Sequence, residues 1–385
     1  MLRYLTAGES HGPQLTVIVE GIPAGLELDA TRDLQPDLRR RQGGHGRGKR
    51  QQIESDSATI TGGVRGGRSL GSPIALTIVN RDWDNWKGPM QVEADGFTKK
   101  SVTRVRPGHA DLAGLLKFDL DDARDVLERA SARETAARVA AGGVARALLA
   151  VAGVSVTSHV VRIGGVVADE LVAGSDTAAV EESPVRCADP AAGARMVEAI
   201  DAARAAGDTL GGTAVVAAHH VVAGLGSYAQ WDRKLDGRIA QAMCSIPSVK
   251  GVELGDALIA AASPGSAVHD RPAYTPGRGF HHLSNRQGGL SGGVSNGEDV
   301  WTRVHFKPIS TLLTPLRSVD VRTGEETNAH YERSDICVVP AGAVVAEAML
   351  ALVLAAAFLE KFGGDSVGEF CRNIASYRAT LGRLR

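Results

Sequence analysis

Residues Arg39 to Arg50 read RRRQGGHGRGKR, with six Lys or Arg side chains and no acid. Three chemistries could use such a run. A nucleotide-phosphate loop is the first, because Gly43 to Lys49 fits G-x-x-x-x-G-K. Arg50, however, stands where that loop needs a magnesium-holding Ser or Thr. The run also precedes a strand-like stretch, whereas such a loop must feed the N-terminus of a helix; this reading is rejected. Nucleic-acid binding is the second, thinly supported without interleaved aromatics. The third is a small polyanion gripped by guanidinium forks on a backbone that glycine lets approach closely. A solvated charged turn is the bland alternative, and the ligand reading stands slightly ahead of it.

Two of the eleven histidines differ from the rest in context. His11 lies in Gly8-Glu9-Ser10-His11-Gly12, a polar turn just before a strand. His109 lies in Arg106-Pro107-Gly108-His109-Ala110-Asp111, just after a long loop. Imidazoles on rigid turns beside hydroxyls or guanidinium groups suit proton transfer near neutral pH. Taken alone, the residues leave catalysis and a bland role evenly balanced. Asp335, in Arg333-Ser334-Asp335-Ile336-Cys337, is either a solvated ion pair or a positioned base. His219-His220 and His281-His282 are adjacent pairs; neighbours on a strand face opposite ways, so a metal shared by the first pair is not expected. No metal site is predicted.

The elements that must hold these residues follow from periodicity. Leu15–Glu20, Gln52–Thr61 and Ile74–Val79 are β-branched, strand-like and bounded by turn residues. Apolar spacing predicts one helix from about Asp121 to Val151, with Gly142 and Gly143 inside it at about 1 kcal/mol each. Close packing against another element or a local kink would explain them equally. Val154–Val167 and Thr213–Val222 read as strands around an alanine-rich helix at Ala191–Ala206. Leu235–Cys244 reads as a helix, Trp301–Phe306 as a strand, and Ala343–Phe362 as an apolar helix ended by Gly363-Gly364. Ala262–Gly297 reads as one long irregular loop, functional or mobile. Grouped rather than alternating elements, with no composition break, predict a single α+β layered domain over residues 1–385.

Composition narrows the function classes. At 43% apolar and 23% charged residues the 385-residue chain can bury a large core, which excludes general disorder. A net charge of -1 argues against a polyanion-binding surface overall, and 4% aromatics argue against base-stacking platforms. The first residues lack the apolar stretch of a secretory signal, and the longest apolar run, Ala348 to Leu359, falls short of the ~20 residues of a membrane span. Cys187, Cys244, Cys337 and Cys371 are scattered without a CxxC pair, as for reduced and mostly buried thiols. A soluble cytoplasmic protein is expected, with no nucleic-acid or membrane partner.

Four segments together resemble the chorismate synthase family: GESHG (8–12), RPGHAD (106–111), RASARETAAR (129–138) and RSDICVVP (333–340). LRRRQGGHGRG, SGGVSNGE and KPIST add three matches in the family's order, so the resemblance runs from Leu2 to about Ser376. It implies a sandwich of antiparallel sheets around long helices, usually assembled as a homotetramer. It implies conversion of 5-enolpyruvylshikimate 3-phosphate to chorismate by anti 1,4-elimination of phosphate. Reduced FMN is implied as cofactor without net redox change.

By that resemblance His11 protonates the departing phosphate, His109 protonates reduced flavin near N1, and Asp335 acts with flavin N5 in removing the C6 proton. Ser10 and Ser131 fall on hydroxyls of the proton network. Flavin contacts fall on Arg129, Ala130, Ser131, Gln241, Ala242, Gly292, Lys307, Pro308, Ile309, Ser310, Thr311 and Arg333. Arg41 and Arg47 match arginines assigned to anions, either substrate or NADP, and Arg106 and Arg133 match substrate contacts. The family pattern reads RSSARET where this chain has Ala130, which removes one hydroxyl and leaves Ser131. No room for an added flavin-reductase domain is read here, so an external reductase is expected as partner, with NADPH acting only as an indirect reductant. The competing class is a binding protein for a phosphorylated or nucleic-acid ligand through Arg39–Arg50.

Overall fold

The computed structural model describes residues 2–48, 55–168, 177–332 and 334–381. Strict alternation builds the first sheet. In β2 (Gln14–Glu20) the inward residues are Leu15, Val17 and Val19, and all three are fully buried. They stand opposite Ile78, Leu76 and Ile74 of the Ile74–Val79 strand, so one apolar face is fixed by register. With β1 (Arg3–Ala7) and β3 (Ala58–Gly62) these make a four-stranded antiparallel sheet, in which the Ile74–Val79 strand, β4, lies between β2 and β3.

A second antiparallel sheet has five strands. Its order is Val249–Leu254, Val300–Phe306, Gly212–His219, Ser155–Ile163, Val166–Val167. The Gly212–His219 strand is buried on both faces: Ala214, Val216 and Ala218 join the main core, while Val215 and Ala217 pack with Val161 and Trp301.

Between the sheets lie two helices, α1 (Thr135–Val151) and α2 (Val339–Phe362), packed on each other. The first rests on the four-stranded sheet and the second on the five-stranded one, giving four layers. Gly142 is where the helices touch: a Cβ there would lie 2.3 Å from Ala348 Cβ. One on Gly143 would lie 2.6 Å from Leu34 Cδ2. Close packing, not a kink, accounts for both glycines. Helix α2 is long and apolar enough to cross a membrane, 24 residues where its sequence suggested fewer, yet 83% of its apolar window is buried in this core.

Several expectations need correction. The Asp121–Val151 helix is broken: Ala123–Ala130 ends at Ser131, which is extended, and a short 3-10 turn, Ala132–Glu134, precedes α1. The Ser131 hydroxyl accepts from the Arg133 backbone N–H at 3.3 Å and so starts the new turn, a local bond that competes with helix continuation. The segment 262–297 is not irregular throughout, because Pro272–Thr275 pairs with Gly279–His282 and Leu290–Ser291 with Val294–Ser295. Strands of only two to four residues leave little periodicity to read. The 52–61 strand is Ala58–Gly62, with residues 52–54 outside the described residues. Of the cysteines only Cys187 and Cys337 are buried; Cys371 is half-buried and Cys244 exposed. His219 bonds Asp299 and Thr157, each at 2.8 Å, and His281-His282 lie on a strand.

Candidate active site

One cavity of about 390 Å³ gathers loops and helix ends from both sheets. The turn after β1 brings Ser10 and His11, and the break at Ser131 brings Ala130, Ser131 and Arg133. The Gln35–Gln42 helix and the glycine loop after it bring Arg41, Arg47 and Gly48. Arg106 and His109 come from the turn before Asp111–Phe118. Lys307, Ile309, Ser310 and Thr311 follow the Val300–Phe306 strand, and Asp335 precedes α2. The three residues expected to move protons therefore share a cavity with the four arginines expected to hold anions.

Each histidine has a carboxylate that sequence reading missed. His11 Nδ1 lies 2.8 and 3.0 Å from the two oxygens of Glu128, and its ring stacks on Trp86 with centroids 3.9 Å apart. His109 Nδ1 lies 2.5 Å from Asp111 Oδ1, while Arg106 Nε donates to the other oxygen at 2.8 Å. Burial would raise the Asp111 carboxyl, but hydrogen bonds from His109 and Arg106 outweigh it and hold the group well below the usual range. Glu128 is lowered in the same way, burial being overcome by His11 and Arg124.

A third hidden carboxylate, Asp56, links the arginines. It is 1% exposed and accepts from Arg41 at 3.3 Å and closely from Arg133. Arg133 also donates to Asn80 Oδ1 at 2.9 Å, and the Asn80 amide holds the Gly12 carbonyl at 2.7 Å, tying the His11 turn to the arginine cluster. Burial, joined by the Arg133 and Arg47 cations and opposed by Asp56, lowers Arg41 to about 10, so it remains charged at neutral pH. Asp335 is held at both oxygens, by Arg47 at 2.7 Å and by the Gly48 backbone N–H at 2.6 Å. A Cβ on Gly48 would come within 2.7 Å of the Ser334 carbonyl, so the loop can reach Asp335 only with glycine there. The Nε of Arg47 is buried with no hydrogen-bond partner among the described residues.

Not every expected flavin contact converges. Arg129 points to β1, donating to the Thr6 and Gly8 carbonyls at 2.9 and 3.1 Å. Gln241 and Ala242 on Leu235–Cys244, and the exposed Gly292, do not line the cavity, nor does Pro308. Arg333 lies outside the described residues, as do Lys49 and Arg50 of the basic run.

This fold, with acid–base side chains and guanidinium groups around one cavity, defines an enzyme, a carbon–oxygen lyase by the relatives it matches. Residues 2–359 match the chorismate synthase family model. A chorismate synthase of Moorella thermoacetica is 56% identical, covering 99% of both chains. One of Desulforudis audaxviator is 55% identical, over 100% of this chain and 98% of the relative. A crystal structure of chorismate synthase superposes with a TM-score of 0.78 at 41% identity, covering 98% of this chain and 97% of that one. The chain belongs to the chorismate synthase family, whose reaction is the last step of the shikimate pathway.

Proposed function

We propose that the protein forms chorismate from 5-enolpyruvylshikimate 3-phosphate by anti 1,4-elimination, with reduced FMN required and no net redox change. The observation that carries this is the convergence of His11, His109 and Asp335 with Arg41, Arg47, Arg106 and Arg133 in one cavity. The substrate carries two carboxylates and a phosphate, and burying that charge is costly unless it is paired. Guanidinium groups meet it bidentately and stay charged.

The C–O bond to phosphate and a C–H bond at C6 both break, so one proton must reach the leaving oxygen and another must leave carbon. His11, with Nδ1 engaged by Glu128, offers its proton from Nε2 to the phosphate oxygen. Asp335 takes part in removing the C6 proton, which requires an anion of the substrate to draw Arg47 away from it. The buried Nε of Arg47, unpaired among the described residues, supports that exchange. Lys307 and Ser310, bonded at 2.9 Å, and Thr311, bonded to Arg106 at 3.1 Å, suit a phosphate-bearing cofactor. Burial and then Lys250 lower Lys307, a strain that a bound anion relieves. When bound, reduced FMN supplies an electron-rich ring beside the substrate. His109, oriented by Asp111, holds a proton for it, and Ser131 stands at the edge of the same cavity. Arg129, Gln241, Ala242 and Gly292 belong to this reading only through the family pattern.

We read the chain as one domain, because a single apolar cluster joins Leu15 and Ile74 of one sheet to Val216 and Val304 of the other. Cytoplasmic location, homotetramer formation and an external reductase complete the reading; a light-scattering mass near 40.2 kDa would refute the tetramer. Full turnover with NADPH plus FMN and no added reductase would refute the indirect role of NADPH. The deciding assay is anaerobic chorismate formation with FMN chemically reduced or left oxidised. Turnover with reduced FMN alone is expected. No turnover by folded, flavin-binding protein overturns the lyase reading in favour of a polyanion-binding protein.

A further inference from the structure

His11 is held from three directions. Its backbone N–H donates to Glu128 Oε2 at 2.8 Å, its Nδ1 faces both Glu128 oxygens, and Ser10 N–H donates to the Glu128 carbonyl at 2.9 Å. One face of the ring lies on Trp86, with an interplanar angle of 23°. Residue 128 thus fixes the turn through its backbone and the ring through its side chain. Glu128 is itself 2% exposed and does not line the cavity, whereas His11 does.

The charges around this pair form a chain. Arg124, one turn back on the Ala123–Ala130 helix, donates to Glu128 Oε1 at 3.1 Å and forms an ion pair with Glu332 Oε1 at 3.0 Å. Glu332 lines the cavity and lies 3.0 Å from His330 Nε2. Lys100 Nζ sits 3.7 Å from the centre of the Trp86 ring, and the Arg124 guanidinium 5.1 Å from it. Burial would raise Glu332, but His330, Arg124 and His11 together lower it to about 2. Glu128 is therefore flanked by a permanent cation whose other side is satisfied by a second carboxylate.

An ionised carboxylate only accepts hydrogen bonds, so the Nδ1 opposite it carries a proton. The only ring nitrogen left to exchange a proton with the cavity is Nε2. We propose that Glu128 is the positioning residue for His11, keeping Nδ1 protonated so that the imidazolium form gives up its proton from Nε2 alone, with Arg124, pinned on its far side by Glu332, beside the Glu128 carboxylate. This rests on the lyase reading for its consequence in turnover, while its structural content stands apart from it. The arrangement resembles the general use of a carboxylate to fix an imidazole tautomer.

The test is Glu128→Gln and Glu128→Asp, made in the full-length protein. Glutamine has the same shape but offers both an acceptor and a donor, so either tautomer finds a partner, and Arg124 keeps Glu332. Ring ¹⁵N NMR, assigned with a His11→Asn control, should show neutral His11 protonated only at Nδ1 in the parent and mixed in Glu128→Gln. In the reduced-FMN assay kcat should fall about 10²-fold in Glu128→Gln with KM within about threefold, and Glu128→Asp should recover at least about tenfold of that loss. An unchanged tautomer in folded Glu128→Gln overturns the proposal, as does a kcat within about threefold of the parent. If the parent makes no chorismate, the lyase reading fails while the ring signals still decide the role of Glu128.

Discussion

Two buried clusters of charge lie on either side of the N-terminal part of α2, and they are built on opposite principles. Around Glu347, three arginines meet three carboxylates: Arg40, Arg146 and Arg186 against Glu347, Asp37 and Glu181. Ser158 adds a hydroxyl at 2.6 Å, and Glu347 is 1% exposed. Around the cavity, Arg41, Arg47, Arg106, Arg133 and Lys307 line the space, with only Asp335 and Glu332 as lining carboxylates among the described residues. Asp56 and Asp111 stand behind their arginines, fully buried, so the surface presented is cationic. The balanced cluster closes a core; the unbalanced one leaves its cations facing an open cavity. Adjacent residues, Arg40 and Arg41, are divided between the two.

The sharpest way to separate the clusters is to remove one functional group from each. His109→Ala should cut turnover by about 10²–10⁴-fold while flavin binding and thermal stability persist; a variant with parent-like turnover would remove His109 from the chemistry and favour a pure binding role. Glu347→Ala should do the reverse, costing about 3–5 kcal/mol in urea unfolding because the buried Arg186 and the half-buried Arg40 and Arg146 lose a shared partner. Unchanged stability would mean that the closed cluster rearranges freely.

Acid should expose the same contrast. Burial would raise Glu347, but Arg40, Arg146 and Arg186 lower it to about 2, from an ordinary 4.5. Glu332 is lowered to about 2 as well. Both bind protons less readily folded than unfolded, so their stabilisation is complete above pH about 4.5 and is lost as the pH falls towards 2. Stability measured across that window should decline, and less steeply in Glu347→Gln, which has no charge there to lose. The smallest effect belongs to the surface: Arg68 and Glu27, 3.0 Å apart and both exposed, should contribute about 0–1 kcal/mol, read as a near-unchanged melting temperature in Arg68→Ala.

His11, His109 and Arg47 stood out on glycine-marked turns, but their context alone left a role open; Arg41, on a helix, and Arg133, in a turn without glycine or proline, were assigned to the site through the family pattern. Their carboxylate partners were not legible. Glu128 lies 117 positions from His11 and reads on its own as one more acid on a helix; only the fold shows it under the ring. Asp56 follows the basic run closely in sequence, and its burial between Arg41 and Arg133 depends on residues from another element. The cost of Gly142 and Gly143 left close packing and a kink equally open; their partners, Ala348 and Leu34, come from distant chain and decide for packing. Asp111 was the near miss, two residues from His109 inside a motif already singled out.

What the sequence determined by itself is local: alternation that turns Leu15, Val17 and Val19 to one face, a glycine pair that ends α2 after Phe362, and the motifs that mark the family. The tertiary structure decided which charges meet. An arginine bonds a carboxylate 288 residues away, as Arg47 does Asp335, because two loops are fixed at one end of a packed helix pair. Periodicity carries the direction of a side chain, whereas the desolvation and pairing that set its charge depend on everything folded around it.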